Sequence, residues 1–504
     1  PRGSRQMDMQ ACPPGSLPAE INEKWRKKMP VTHVVFIFVF LPCCLAGYYG
    51  IEAAARKWKG IERLRLKDIF LCMASIGFYA CAGIRDAFFL MGYAAVVYLA
   101  GRMIAARQER GRRFWLTASV FAVLAVLFVY KYAGFVYRIF TGRAPGASIG
   151  APLGISFITF SAISCLADIY RKDAPAGSFL DVALYLTFFP KVSSGPIQLW
   201  KDFKGQIIRK VPDSEWVIRS INRIIIGMAK KLILADTFGS VVADIQSNVP
   251  FGIDGPTAWG GALLYMLQIY YDFAGYSDIA IGLAGLFGIR VADNFNFPYL
   301  SRSITEFWRR WHISLGTWFR EYVYIPLGGN RKGTAKTLRN LFLVFLLTGI
   351  WHGAGWNYIL WGVLNGVCVV AERCIRDKAW YKKTPGWLKW AVTMFLVYVS
   401  WIPFRLGSLG EIRQYVSAML GRAASAQIDL SFAYFFEYKI LVLMVIAAAG
   451  ATVLSWGKLK HLEEKAEQTP VLLVIQEILI LVLGAVDVMC IVNSTYSPFL
   501  YFQY

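Results

Sequence analysis

The feature that most constrains this chain is a series of apolar runs, each close to the length of helix that crosses hydrocarbon. Val31 to Tyr49, Phe114 to Tyr130, Leu338 to Ile350, Trp387 to Phe404, Ile440 to Leu454 and Val471 to Val492 are the clearest. A span takes roughly 20 apolar residues, and a helix is favoured in lipid because it satisfies its own backbone hydrogen bonds. Aromatic residues recur near the run ends, as interface anchors do. Of 504 residues, 56% are hydrophobic and only 17% charged, more apolar surface than a soluble domain can hide. The chain reads as an all-α, polytopic membrane protein with roughly 10 to 12 spans. The polar connections are too short for a separate domain, so one membrane domain covers 31–504 behind a polar segment, 1–30. Pro1-Arg2-Gly3-Ser4 has the look of an affinity-tag remnant, and no cleavable signal peptide is expected.

The formal charge of +22 raises nucleic-acid binding, but the basic residues are placed as the positive-inside rule places them. Arg56, Lys57, Lys59, Arg63, Arg65 and Lys67 form one basic loop; Arg102, Arg107, Arg110, Arg112 and Arg113 form the next. With both on the cytoplasmic side, the segment between them is a hairpin of two short arms turning at Ile84-Arg85-Asp86. The first span then runs inward from an external N-terminus, and topology after Lys201 stays open. No nucleic-acid partner is expected. The nine cysteines lack metal-ligand spacing and suit free buried thiols.

Two stretches are unlike ordinary spans. Pro152 to Phe160 mixes helix breakers with hydroxyls, and Phe188 to Ile197 places two prolines and a lysine among apolar residues. Broken backbone survives at membrane depth only when protein buries it or it lines a wet cavity. Re-entrant segments and simple proline kinks both satisfy these patterns.

Ionisable groups beside spans mark function by default. His352 follows an apolar run within Thr348-Gly349-Ile350-Trp351-His352-Gly353, and an imidazole is the side chain best suited to take a proton near neutral pH. A histidine bonded between helices is the structural alternative. His312 lies in an expected amphipathic helix, Ser303 to Tyr324, with Ser303 as N-cap and Glu306 pairing with Arg310. On that helix Arg309, His312, Gly316 and Arg320 share a face flanked by tryptophans such as Trp311. Such a face suits a thioester- or phosphate-bearing donor, or the anionic headgroups of membrane lipids. Asp272 and Asp278 are expected to pair with cations. Gly328-Gly329-Asn330-Arg331 reads as a turn, and no metal signature is present.

Asp293-Asn294-Phe295-Asn296-Phe297-Pro298-Tyr299-Leu300-Ser301-Arg302, continuing through Glu306-Phe307-Trp308-Arg309-Arg310-Trp311-His312, resembles the membrane-bound O-acyltransferase (MBOAT) family. The Pro152, Phe188 and Tyr271 stretches and Trp351-His352-Gly353 resemble it in the same order, and the alginate O-acetylating branch is the nearest likeness. The resemblance implies a ring of helices with re-entrant or interfacial helices around a tunnel, in the bacterial inner membrane. It implies catalytic roles for His352 and His312, while the cationic face itself puts Arg309, Arg320 and Trp311 on the donor side. Thr317 to Tyr322 and Gly328 to Arg331 favour acetyl-CoA over a D-alanyl carrier protein as donor, with no permanently bound cofactor. Arg320-Glu321 departs from the branch, which usually has arginine followed by aspartate. The tail Phe499 to Tyr504 resembles a terminal aromatic motif of polymer-acylation systems, in which Tyr501 matches a proposed transient acyl carrier. An extracytoplasmic serine-hydrolase-like partner and a polysaccharide or cell-wall acceptor are implied. D-alanyl transfer to teichoic acid, and transport of a small anionic or lipid-linked solute, are the competing readings.

Overall fold

The computed structural model describes residues 29–57, 65–143, 150–207, 212–422, 431–452 and 469–493. Tyr501, the aromatic tail and nearly all of the polar N-terminal segment lie outside them. Among the described residues the chain is all helix, turn and loop, with one isolated bridge between Phe295 and Trp311.

Among the described residues, six helices are long and apolar enough to cross a membrane: Phe36–Lys57, Ile84–Ala106, Glu109–Thr141, Trp356–Ile375, Gly386–Arg405 and Pro470–Asn493. Several expose Val, Leu, Ile and Phe outward, as lipid-facing helices must. The expected hairpin exists, but it turns at Cys81–Gly83; Arg85 and Asp86 belong to the first turn of its second arm. That arm is 23 residues long, longer than the short arms expected.

The elements that frame the interior follow in chain order. Helix α1 (Glu109–Leu127) widens into a π-helical turn, Phe128–Tyr132, and continues as α2 (Ala133–Thr141). Next come α3 (Ile155–Arg171), α4 (Phe179–Thr187), α5 (Ser214–Ala229) and α6 (Gly255–Leu286). Two short helices, α7 (Ile304–Arg310) and α8 (Ile313–Phe319), precede the pair α9 (Thr334–His352) and α10 (Trp356–Ile375). Two later spans, α11 (Gly386–Arg405) and α12 (Pro470–Asn493), complete the frame. The 32-residue α6 is buried along most of its length, with α5 packed against it. Asp272 and Asp278 on α6 are paired as expected, Asp272 with Lys231 at 2.6 Å and Asp278 with Lys230 at 2.6 Å and Arg223 at 2.9 Å.

The segment Phe188 to Ile197 is irregular and wholly buried in protein. Its backbone finds partners inside: Phe189 N–H donates to Ser75 Oγ at 3.2 Å and Ile197 N–H to Ser314 Oγ at 3.0 Å. Gly154, with φ +70°, starts α3 against it; a Cβ there would lie 2.2 Å from the Val192 carbonyl oxygen. Only glycine meets both the left-handed backbone and that approach. Phe188 to Ile197 is therefore buried broken structure, the condition lipid imposes on non-helical backbone, whereas Pro152 to Phe160 is regular helix from Ile155 onward.

Candidate active site

The helix expected over Ser303 to Tyr324 is broken in the middle. It runs as α7, an extended Trp311, a left-handed His312 (φ 47°), α8, and a π-helical turn at Arg320–Tyr324. The N-cap is present, with Glu306 N–H donating to Ser303 Oγ at 3.0 Å, and Glu306 pairs with Arg310 at 2.8 Å. The break is made by tertiary contacts. Asn296 N–H bonds the Arg310 carbonyl and Ile313 N–H the Asn294 carbonyl, both at 2.9 Å. The Asp293-to-Asn296 strand-like stretch thus claims backbone groups that a continuous helix would use itself.

The break turns His312 inward, where it is 2% exposed. The expected common face of Arg309, His312, Gly316 and Arg320 does not form. Arg309 and Arg320 lie at the exposed surface, Arg320 paired with Glu321 at 3.0 Å. Trp311 is buried in an aromatic wall, its ring 4.9 Å from Trp401 and 5.0 Å from Phe295.

Asn294 orders the histidine. Its Oδ1 accepts from Ser314 N–H at 3.1 Å and from Ser314 Oγ at 2.9 Å, and His312 Nδ1 lies 3.1 Å away. A backbone N–H can only donate, so Oδ1 is the acceptor in this cluster and Nδ1 carries the proton. The basic lone pair of the neutral ring is then on Nε2. Burial holds the imidazole down at about 3, so this ring is neutral at physiological pH.

His352 ends α9 and is also buried, 6% exposed. Its ring is boxed by Trp351 at 4.8 Å, Phe404 at 4.9 Å and Trp361 at 5.1 Å between centroids. Trp351 reaches His312 at 6.5 Å, so one indole flanks both imidazoles. The indole N–H groups of Trp308, Trp351, Trp361 and Trp401 are buried without a hydrogen-bond acceptor among the described residues. Buried donors normally have partners, and these four belong to one ring-contact network around His352. Such a chamber can orient a neutral base and offer donors to an oxygen that gains charge.

Beside it lies a cavity of about 570 Å³ lined by Trp216, Arg219, Arg223, Arg290, Ile313 and Ser314 among others. Ser314 is the residue that bonds Asn294, so the cavity wall is two residues from His312. The Arg290 guanidinium lies 4.4 Å from the Trp216 ring centroid and forms no ion pair among the described residues. Arg223 is bonded to Asp278 and Asp293, and Arg219 to Glu215. These cavity residues were missed by sequence reasoning, although Trp216, Arg219 and Arg223 recur at helical spacing, one face of α5. Among the described residues no His, Cys, Asp and Glu group could hold a metal.

The description "MBOAT, membrane-bound O-acyltransferase family" matches residues 159–406, which include both histidines and the aromatic box. A probable alginate O-acetylase AlgI of Pseudomonas putida is 36% identical over 501 residues, 93% of this chain and 99% of the relative. The chain belongs to the membrane-bound O-acyltransferase family. A peptidoglycan O-acetyltransferase of Helicobacter pylori is 31% identical over 424 residues, 77% of this chain and 79% of the relative. A teichoic acid D-alanyltransferase of Streptococcus thermophilus is 28% identical over 365 residues, 69% of this chain and 83% of the relative. This MBOAT protein is accordingly an O-acyltransferase and a multi-pass protein of the bacterial inner membrane.

Proposed function

We propose that the protein moves an acetyl group from acetyl-CoA across the membrane for O-acetylation of an extracytoplasmic polysaccharide or cell-wall polymer. The observation that carries this reading is the joining of two buried histidines to one aromatic chamber, with an arginine-lined cavity at its edge. The names of the relatives, alginate O-acetylase and peptidoglycan O-acetyltransferase, support the acetyl group and the polymer class.

The cavity suits the anionic end of the donor. Arginine forks match phosphate oxygens, and Trp216 with Arg290 offers a face for a stacked base. Arg309 and Arg320, exposed outside the cavity, suit lipid headgroups, and Trp311 shapes the chamber wall. Inside the chamber, His352 takes the proton of an attacking hydroxyl while that oxygen forms a bond to the thioester carbonyl carbon. The tetrahedral intermediate collapses, the carbon–sulfur bond breaks, and the proton passes from the imidazole to the departing thiolate. His312, neutral with its basic nitrogen at Nε2, assists donor placement or that proton transfer. Tyr501 is the proposed hydroxyl, carrying the acetyl group as a phenyl ester until a serine-hydrolase-like partner passes it to the sugar.

Purified protein in lipid vesicles with labelled acetyl-CoA tests the reading. Label should reach the protein or an added acceptor in wild type, and His352→Ala should abolish it. Transfer by His352→Ala at the wild-type rate would remove the catalytic assignment. Peptide mass spectrometry after trapping should find acetyl on Tyr501; a bare Tyr501 in labelled protein would remove the relay alone.

A further inference from the structure

Helix α9 delivers His352 on its last turn, and the last turn of any helix leaves four carbonyl groups without intrahelical partners. Here they belong to Gly349, Ile350, Trp351 and His352. Three of the four are taken by two adjacent residues of the π-helical turn between α1 and α2. Tyr132 Oη donates to the Ile350 carbonyl at 2.9 Å. Lys131 Nζ donates to the Trp351 carbonyl at 2.5 Å and to that of His352 at 3.0 Å. The third ammonium proton faces Ser156 Oγ at 3.4 Å, and the Trp351 ring lies 5.8 Å from Nζ.

Two features set this apart from an ordinary helix contact. Lys131 lies within a continuous apolar helix of 33 residues, Glu109–Thr141, long enough to cross the membrane, where a lysine is costly. Adjacent side chains on a regular α-helix diverge by about 100°, yet Lys131 and Tyr132 meet the same helix end. The π-helical turn, a form that recurs at functional sites, sits at that point. A cation at a helix C-terminus is also where the helix dipole favours it.

We propose that Lys131 and Tyr132 form a clamp that holds the terminal turn of α9, so that Lys131 is a positioning residue for His352. The inference rests on the assignment of His352 as the catalytic base. The clamp fixes the backbone of the residue whose ring must meet both the donor carbonyl and the acceptor hydroxyl. Without it the last turn frays, and the imidazole leaves its box of Trp351, Trp361 and Phe404.

The test uses full-length Lys131→Met and Tyr132→Phe in lipid vesicles. Loss of a charged hydrogen-bond donor should lower kcat roughly 10- to 150-fold in Lys131→Met, with KM for acetyl-CoA within about twofold. The near-isosteric Tyr132→Phe, which keeps the ring packing, should lower it by about two- to tenfold. A second readout needs no activity. Diethyl pyrocarbonate labelling, resolved by peptide and referenced to the exposed His33, should be faster at His352 in both variants. Recovery of Lys131→Ala activity by added propylamine, which restores the atoms removed beyond Cβ, would support the clamp. Wild-type kcat together with wild-type His352 labelling overturns it, as does a raised KM with unchanged kcat, which would assign Lys131 to the donor instead. Full activity of His352→Ala would sink the catalytic reading, and the labelling experiment would still decide the clamp.

Discussion

The Oδ1 atom of Asn294 lies 3.1 Å from His312 Nδ1 and accepts two further bonds from Ser314. One amide oxygen therefore sets the tautomer of a buried histidine and closes the loop that turns it inward. Asn294 Nδ2 is held in turn by Ser277 Oγ of α6 at 3.1 Å. Replacing this amide by an apolar side chain strips an acceptor from three donors at once, and each unsatisfied buried donor costs about 1–3 kcal/mol. Asn294→Leu should fold less stably and lose at least about tenfold in kcat/KM, while Asn294→Asp, which keeps an acceptor oxygen, should retain more activity. Steady-state acetyl transfer measured beside thermal unfolding checks both. Equal activity in Asn294→Leu and wild type would deny the tautomer any part in the reaction.

The cavity makes a separable claim about the donor. Arg290 stacks on Trp216 and has no ion-pair partner among the described residues, so its charge is available to a phosphate. Arg290→Ala should raise KM for acetyl-CoA by about tenfold with little change in kcat, the size of one charge-assisted contact. The effect should shrink as salt rises. With acetyl-pantetheine, which lacks the nucleotide, variant and wild type should have the same KM. A KM difference that persists on the truncated donor would place the nucleotide elsewhere.

The sequence carried the two histidines and the buried irregular segments because their signals are local. His352 follows an apolar run, and prolines with a lysine mark Phe188 to Ile197. The break at Trp311 and His312 was hidden because nothing in that stretch demands it. The N-cap and the Glu306–Arg310 pair are helix signals, and both formed. What overrides them is the distant Asp293 to Asn296 stretch, whose backbone bonds to Arg310 and Ile313 exist only in the folded chain. Arg219 and Arg223 were missed although their spacing puts them on one helix face, and Arg290 joins them from a loop. Lys131, which directly follows the apolar run Phe114 to Tyr130, was not singled out, since its partners, the Trp351 and His352 carbonyls, lie 220 and 221 residues away.

Helices α9 and α10 cross at glycine. A Cβ on Gly349 would lie 2.5 Å from the Tyr358 carbonyl oxygen and 2.9 Å from Gly362 Cα. These are backbone atoms, so no side-chain rotation relieves the contact, and the two helices must separate. Gly349 is three residues before His352, so separation moves the histidine away from Trp361 on α10. Gly349→Val should lower stability by roughly 1–3 kcal/mol, as overpacking does, and reduce acetyl transfer beyond what the folded fraction explains. Gly92→Val, in the span Ile84–Ala106, where an added Cβ would have nothing within 4 Å, is the comparison for a merely bulkier helix glycine. Thermal unfolding followed by activity per folded molecule separates the two effects.

Asp181 supplies a pH test of the fold away from the chamber. It lies in the first turn of α4, where Ser178 Oγ and the Asp181 carboxylate form a reciprocal capping box. Arg65 reaches the carboxylate at 2.5 Å and Lys204 at 2.8 Å. Burial alone would raise this carboxyl, but the bonds from Lys204, the Ser178 N–H and Arg65 outweigh it and hold it at about 2. A carboxylate whose folded value lies below its unfolded one stabilises the fold fully above the unfolded value, near 4. That contribution, on the order of 2 kcal/mol, is lost as pH falls toward about 2. Asp181→Asn removes it at every pH and leaves Arg65 and Lys204 without their shared anion. The variant should therefore unfold at a lower temperature than wild type at pH 7, by a gap that is constant down to about pH 4.5 and narrows below it. Unfolding midpoints in detergent from pH 7 to pH 3 measure the gap. A gap that widens on acidification would mean that the carboxyl is held protonated, and the ion-pair account of this corner would fail.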